Sequence, residues 1–212
     1  MAAYDLEEQE QIAEIKSFWD RYGNLIVIAI SAALLLIAAW RFWGWYQTSQ
    51  SAQAATLYTE LQRAAGANDA KKVRELAGSL LESYSGSLYA TLGALVSAKT
   101  HFEAGDLKTA RVQLQWVVDK GRDAEVQALA RLRLVAVLLD EKAYDDALKV
   151  LAVKPPASFE ALFEDARGDV LQAQGKGAEA RAAYQAALSK LGAGEEPARE
   201  LIQLKLDGVG AK

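Results

Sequence analysis

The sequence predicts an all-α protein in two parts, a single long apolar helix near the N-terminus and then a stack of paired amphipathic helices. Three observations carry this. Residues 22–40 form a run of 19 without a charge, and aromatic rings gather at both of its ends. Beyond it, apolar residues recur at helical spacing in segments of about a dozen residues, separated by short glycine- or proline-marked breaks. On those segments a small residue returns at intervals of 37 and 33 residues.

Composition narrows the chemistry before any motif is considered. There is no cysteine, which removes disulfides, thiolate metal sites and cysteine nucleophiles together. The single histidine, His101, leaves no basis for a multi-histidine metal site, and a packed or surface role suits it better than a catalytic one. Lys and Arg number 24 against 28 Asp and Glu, a net charge of -4, so the chain has the wrong sign to bind nucleic acid as its main task. That imbalance sits at the start, where Asp5, Glu7, Glu8, Glu10, Glu14 and Asp20 outnumber Lys16 and Arg21.

Residues 1–21 therefore read as an acidic tail. Ile12, Ile15, Trp19 and Tyr22 fall three or four apart, which is the pattern of a short interfacial helix leading into the apolar run; a solvated tail is the alternative reading.

Residues 22–46 read as a transmembrane anchor. The run YGNLIVIAISAALLLIAAW would cover about 28 Å as a helix, close to the roughly 30 Å of bilayer hydrocarbon. Leu25, Ile26, Ile28, Leu34, Leu35 and Leu36 form its apolar body. Phe18, Trp19 and Tyr22 on one side and Trp40, Phe42, Trp43, Trp45 and Tyr46 on the other supply two aromatic belts, and Arg41 can carry its guanidinium to the interface. The leading segment is acidic, not basic, and the nearest Ala-x-Ala lies far downstream at Ala52–Ala54, so a retained signal anchor is expected and not a cleaved signal peptide. Lys16 and Arg21 precede the helix and only Arg41 closely follows it, which favours a cytoplasmic N-terminus with the remainder on the far side.

Residues 47–212 read as a helical repeat. The segments EAGDLKTARVQL (103–114), DEKAYDDALKVL (140–151) and AQGKGAEARAAY (173–184) each contain a tight turn, an alanine and a large group four residues later: Ala110 with Leu114, Ala147 with Leu151, Ala180 with Tyr184. Twelve residues upstream stand Ala98, Val135 and Gly168 as partners at the helix crossings, and a fainter copy places Val73 and Ala77 one period earlier. Paired helices with a period near 34 and small crossing residues are the signature of tetratricopeptide repeats, which offer a concave surface for peptides or helices. In that register the surface includes Lys99, Phe102, Glu103, Arg133, Leu139, Asp165, Asp169 and Gln172, a mixed set suited to adaptable protein contact. Residues 195–207 are expected to close the stack, with Leu201, Ile202 and Leu204 covering the last repeat and Glu200 and Lys205 facing water.

No phosphate-binding loop, dinucleotide glycine pattern, nucleophile elbow or zinc-protease helix occurs, and no cofactor or metal is expected. Asp140, Glu141, Asp145 and Asp146 cluster at one turn but lack the alternating spacing of a calcium loop. Were the protein an enzyme, Asp165 and Asp169, one helical turn apart, would be its least implausible centre.

The order of parts resembles the YfgM family, the ancillary subunit of the bacterial Sec translocon. The likeness runs through Lys16-x-Phe18, Gly23, Trp40-Arg41-Phe42-Trp43, Ser51-Ala52, Leu132-Arg133-Leu134, Arg167-Gly168, Ala180-Arg181-x-Ala183-Tyr184 and Gln203-x-Lys205. This resemblance implies a single-pass inner-membrane protein with a periplasmic repeat domain, associated with the SecYEG channel and with periplasmic chaperones or emerging client chains. A repeat scaffold for another envelope process, such as cytochrome biogenesis or outer-membrane protein delivery, fits the same architecture.

Overall fold

A computed structural model describes residues 3–209, with side chains from residue 11 onward apart from residues 46 and 47. The acidic side chains of Asp5, Glu7, Glu8 and Glu10 and the ring of Tyr46 therefore lie outside the described ones. The chain forms two compact units, one ending at Ala52 and the other beginning at Gln53. No strand occurs among the described residues.

Helix α1 (Ala3–Gly66) is continuous, without an end at the close of the aromatic belt. The reason is local: from Arg41 to Ala65 there is no proline and only one glycine, Gly44, whose cost of about 1 kcal/mol does not break a long helix. Within the first unit, an 18-residue window of this helix has a mean hydropathy of 2.4 and no buried residue, and this is the one helix among those described that is long and apolar enough to cross a membrane. Leu25, Ile28, Leu34, Leu35, Leu36, Trp40 and Trp43 all point outward, Arg41 is exposed, and Ile26 is half-buried. An uncovered apolar surface of this length suits hydrocarbon and not water. Gly23 is buried because the Trp19 indole lies over it, 3.0 Å from where a Cβ would stand.

The second unit is a stack of helix pairs. The end of α1 shares a core with α2 (Ala70–Ser83), through Ala54 and Leu61 against Val73, Leu76, Ala77 and Leu80. Helix α3 (Leu88–Glu103) pairs with α4 (Leu107–Lys120), α5 (Ala124–Asp140) with α6 (Tyr144–Leu151), and α7 (Glu160–Ala173) with α8 (Gly177–Lys190), and α9 (Glu196–Val209) follows. Each pair turns in the same way. The first helix of each ends in a left-handed residue, Asn68, Gly105, Lys142 or Gly175, at φ between 56° and 77°. The next amide then reaches back over the turn: Asp69 N–H donates to Ala64, Asp106 to His101, Ala143 to Leu138 and Lys176 to Leu171, at 2.8–3.0 Å. This is the hydrogen bond that closes a helix of Schellman type. Its four occurrences include the faint first copy, and Asp69 and Asp106 go on to cap α2 and α4 with their carboxylates.

The crossing residues are where the period puts them. Ala98 and Ala110, Val135 and Ala147, and Val73 with Ala77 are all buried. Gly168 admits no larger side chain, since a Cβ there would stand 2.4 Å from the Tyr184 ring.

The end of the stack differs from the sequence expectation. Ile202 and Leu206 bury against α8, while Leu201 and Leu204 are 54% and 70% exposed. Positions 202, 206 and 209 share one helical face at spacings of four and three, and 201 and 204 lie off it. Lys205, expected in water, turns inward toward α7.

Candidate protein-binding site

Two helices of consecutive pairs bring part of the expected concave set together. Lys99 and Phe102, three apart on α3, and Arg133 on α5 line a cleft of about 190 Å³, whose floor is Ala98, Leu114, Ala136 and Val137. Ala98 and Ala136 are the small residues of that floor. The volume is below the range of about 300–1,000 Å³ for small-molecule pockets and suits one or two inserted side chains. Phe102 remains 38% exposed beside it.

The charges around the cleft are unequal. Lys99 pairs with Glu103 one turn along the same exposed face, at 3.5 Å, so Glu103 serves the rim and not the floor. Arg133 is exposed and has no ion pair among the described residues. The cleft therefore combines an apolar floor with net positive charge, the complement of an apolar side chain carried next to a carboxylate.

The expected residues on α7 do something else. Lys205 Nζ lies 2.8 and 2.9 Å from the two oxygens of Asp165 and 2.8 Å from Asp169 Oδ2. The Tyr184 hydroxyl donates to Asp169 Oδ1 at 2.8 Å. One ammonium thus serves two carboxylates. Burial opposes the charge of Lys205, but the bonds to Asp165 and Asp169 outweigh it and hold the ammonium protonated beyond its ordinary range. Burial, aided by the neighbouring Asp169 charge, pushes Asp165 up against the pull of Lys205. Burial and then the Asp169 bond push the Tyr184 phenol up as well. The pair that would have been the centre of an enzyme is a tie between α7, α8 and α9. Gln172 lies exposed in the last turn of α7, outside both groups, and Leu139 is half-buried against the central core.

The remaining singled-out residues also have structural partners. His101 is buried; its Nδ1 lies 2.8 Å from the Ser97 carbonyl oxygen, which can only accept, and its Nε2 receives Arg74 Nε at 3.3 Å. Arg74 also bonds Asp106 and Thr109 on the next pair. One period later Arg111 does the same, reaching Glu141 at 3.0 Å and Asp146 at 3.5 Å. The acidic turn is therefore held by Arg111, by Lys149 on Asp146 and by Gln174 on Asp145, and no cluster of three metal-ligating residues occurs among the described residues.

Sequence reasoning missed Leu114, Ala136 and Val137 as the cleft floor, although their spacing from Ala98 and Arg133 follows from the repeat register. It also missed Lys205, whose partners are 36 and 40 residues away with no local pattern to announce them.

Comparison with known proteins agrees with this architecture. The description "tetratricopeptide repeat-like domain" matches residues 16–211. The chain is 35% identical to the ancillary SecYEG translocon subunit of Neisseria gonorrhoeae, over 99% of this chain and 100% of that one. It is 26% identical to the protein of the same name from Haemophilus influenzae, over 98% and 100% of the two chains, and 25% identical to that of Escherichia coli K12, over 95% and 96%. No solved structure matches.

Proposed function

We propose, from the premise that this chain belongs to the tetratricopeptide repeat-like family of ancillary SecYEG translocon subunits, that it is a membrane-tethered protein-binding module working beside the Sec channel. The observation that carries this is the end-to-end match, which takes in the apolar helix and the repeats together. The division into a tail (1–21), an anchor (22–46) and a repeat domain (47–212) gives each part a task. Leu25 to Trp43 would hold the protein in the bacterial inner membrane. Lys16 and Arg21 favour a cytoplasmic tail, which puts the repeats in the periplasm where exported chains emerge.

The mechanism is tethered capture. Confinement to one bilayer raises the concentration of the α3–α5 cleft near a partner in the same membrane by orders of magnitude, so weak contacts suffice. Phe102 and the alanine floor would take an apolar side chain, while Lys99 and Arg133 would draw an adjacent carboxylate. Periplasmic chaperones and emerging clients are the partners this reading supplies. Asp165 and Asp169 are bound to Lys205 and contribute packing, not capture.

The test is recovery of the channel. Membranes holding the protein at native level are solubilised gently and the protein is drawn out by its C-terminus. Channel subunits should come with it; their absence under conditions that keep the channel itself intact would refute the reading.

A further inference from the structure

We infer that the outward face of α9 is a docking strip for a cationic amphipathic helix of another protein. The helices inside the stack are covered on more than one side: α3 buries Gly93, Ala94, Leu95, Ser97 and Ala98 around its girth. In α9 only Ile202 and Leu206 are buried, both toward α8. The opposite side carries Leu201 and Leu204, three apart and exposed, with Pro197 and Gly208 on the same strip. Two adjacent leucines on the last helix of a solenoid form an apolar strip of the kind a further helix covers inside the stack.

Charge identifies the occupant. Glu200 and Asp207 border this strip on one side, and neither has a cationic partner among the described residues; Asp207 accepts only from Gln203, at 2.9 Å. On the other border Lys205 is already committed to Asp165 and Asp169. The strip is therefore apolar with a net acidic edge. A second copy of α9 would set acid against acid, whereas a helix with a leucine stripe edged by lysines satisfies both features. The site is separate from the α3–α5 cleft and does not depend on the reading given to that cleft.

The experiment uses the full chain in lipid nanodiscs and two labelled synthetic helical peptides with the same leucine stripe, one edged by lysines and the other by glutamates. Fluorescence anisotropy should give the lysine-edged peptide at least about tenfold tighter binding, a difference of about 1.4 kcal/mol. The double change Leu201→Ser and Leu204→Ser should abolish it, and Glu200→Lys with Asp207→Lys should reverse the preference. Both pairs are exposed, so thermal melting should stay near that of the parent and report folding independently. Arg133→Glu in the cleft should leave the affinity unchanged. Equal binding of the two peptides, or loss of binding on Arg133→Glu instead of on the α9 changes, would overturn the proposal. So would self-association abolished by Leu204→Ser in a protein that binds neither peptide, because the strip would then belong to a second copy.

Discussion

Lys205 Nζ and Asp169 Oδ2 meet at 2.8 Å across 36 residues of sequence, and the same ammonium holds Asp165. The last helix is thereby locked to the pair before it by charge as well as by the burial of Ile202 and Leu206. Removing the ammonium leaves two carboxylates beside each other in a half-buried setting.

Lys205→Met should therefore lower stability by about 1–3 kcal/mol near neutral pH, read by thermal or urea unfolding of the folded chain. The pH dependence has a defined sign. Because the folded Lys205 is raised above its ordinary 10.5, its contribution is complete below that value and is lost as the pH climbs through the higher folded value. The parent should lose stability more steeply than Lys205→Met in that alkaline range. On the acid side the deficit of Lys205→Met should shrink as Asp165 takes up its proton, beginning above the ordinary 3.8 because burial raises it. A deficit that is constant from acid to alkali would contradict this.

Gly168→Ala and Gly78→Ala should move stability in opposite directions. A Cβ at 168 would stand 2.4 Å from the Tyr184 ring, whose hydroxyl is fixed on Asp169, so relief requires the α7–α8 crossing to open at a cost of about 1–3 kcal/mol. Gly78 lies within α2 with open space, nothing within 4 Å, where an added methyl would stand, so alanine there should gain about 0.5–1 kcal/mol. Chemical unfolding of the two variants side by side measures the contrast.

Lys142 occupies at φ 59° the place that Gly105 and Gly175 occupy in their own turns. Lys142→Gly should stabilise the protein by up to about 1 kcal/mol, and Gly105→Ala should destabilise it by about as much. Equal and unchanged midpoints for both would show that the turns carry no strain.

Asp106→Ala should cost about 1 kcal/mol or more, because it removes the cap of α4 and the inter-pair bond from Arg74 together. The Thr109 hydroxyl and amide, followed by Arg74, hold the Asp106 carboxyl below its ordinary 3.8. Its contribution is thus present above that value and disappears as the pH falls through the lower folded one. An acid titration of stability should show this loss in the parent and not in Asp106→Ala.

The repeat was legible because it is written in short-range chemistry: Ala98, Ala110, Ala147 and Ala180 are small where helices cross, and Gly105 and Gly175 sit where the chain turns left-handed. Even the faint copy at Val73 shares that turn, through Asn68. The apolar helix was legible for a similar reason, since hydropathy and aromatic placement are local. What escaped depends on distance or on small phase errors. Lys205 finds its carboxylates through the packing of three helices, and Leu201 and Leu204 lie off the buried face that Ile202 and Leu206 share. Of the expected groove residues, Lys99, Phe102 and Arg133 converge because α3 and α5 face one cleft from adjacent pairs, whereas Asp165 and Asp169 meet the terminal helix that the repeat pattern does not contain.

The most direct test of tethered capture places a photo-crosslinking amino acid at Phe102 in the cleft, and in a second protein at Val112, an exposed position on α4 that the cleft does not include. In intact cells irradiated during active export, Phe102 should capture channel subunits, chaperones or emerging chains, Val112 should not, and Arg133→Glu should diminish the Phe102 products. Capture of equal amount and identity from both positions, or none from Phe102 while the channel is engaged, would contradict the account.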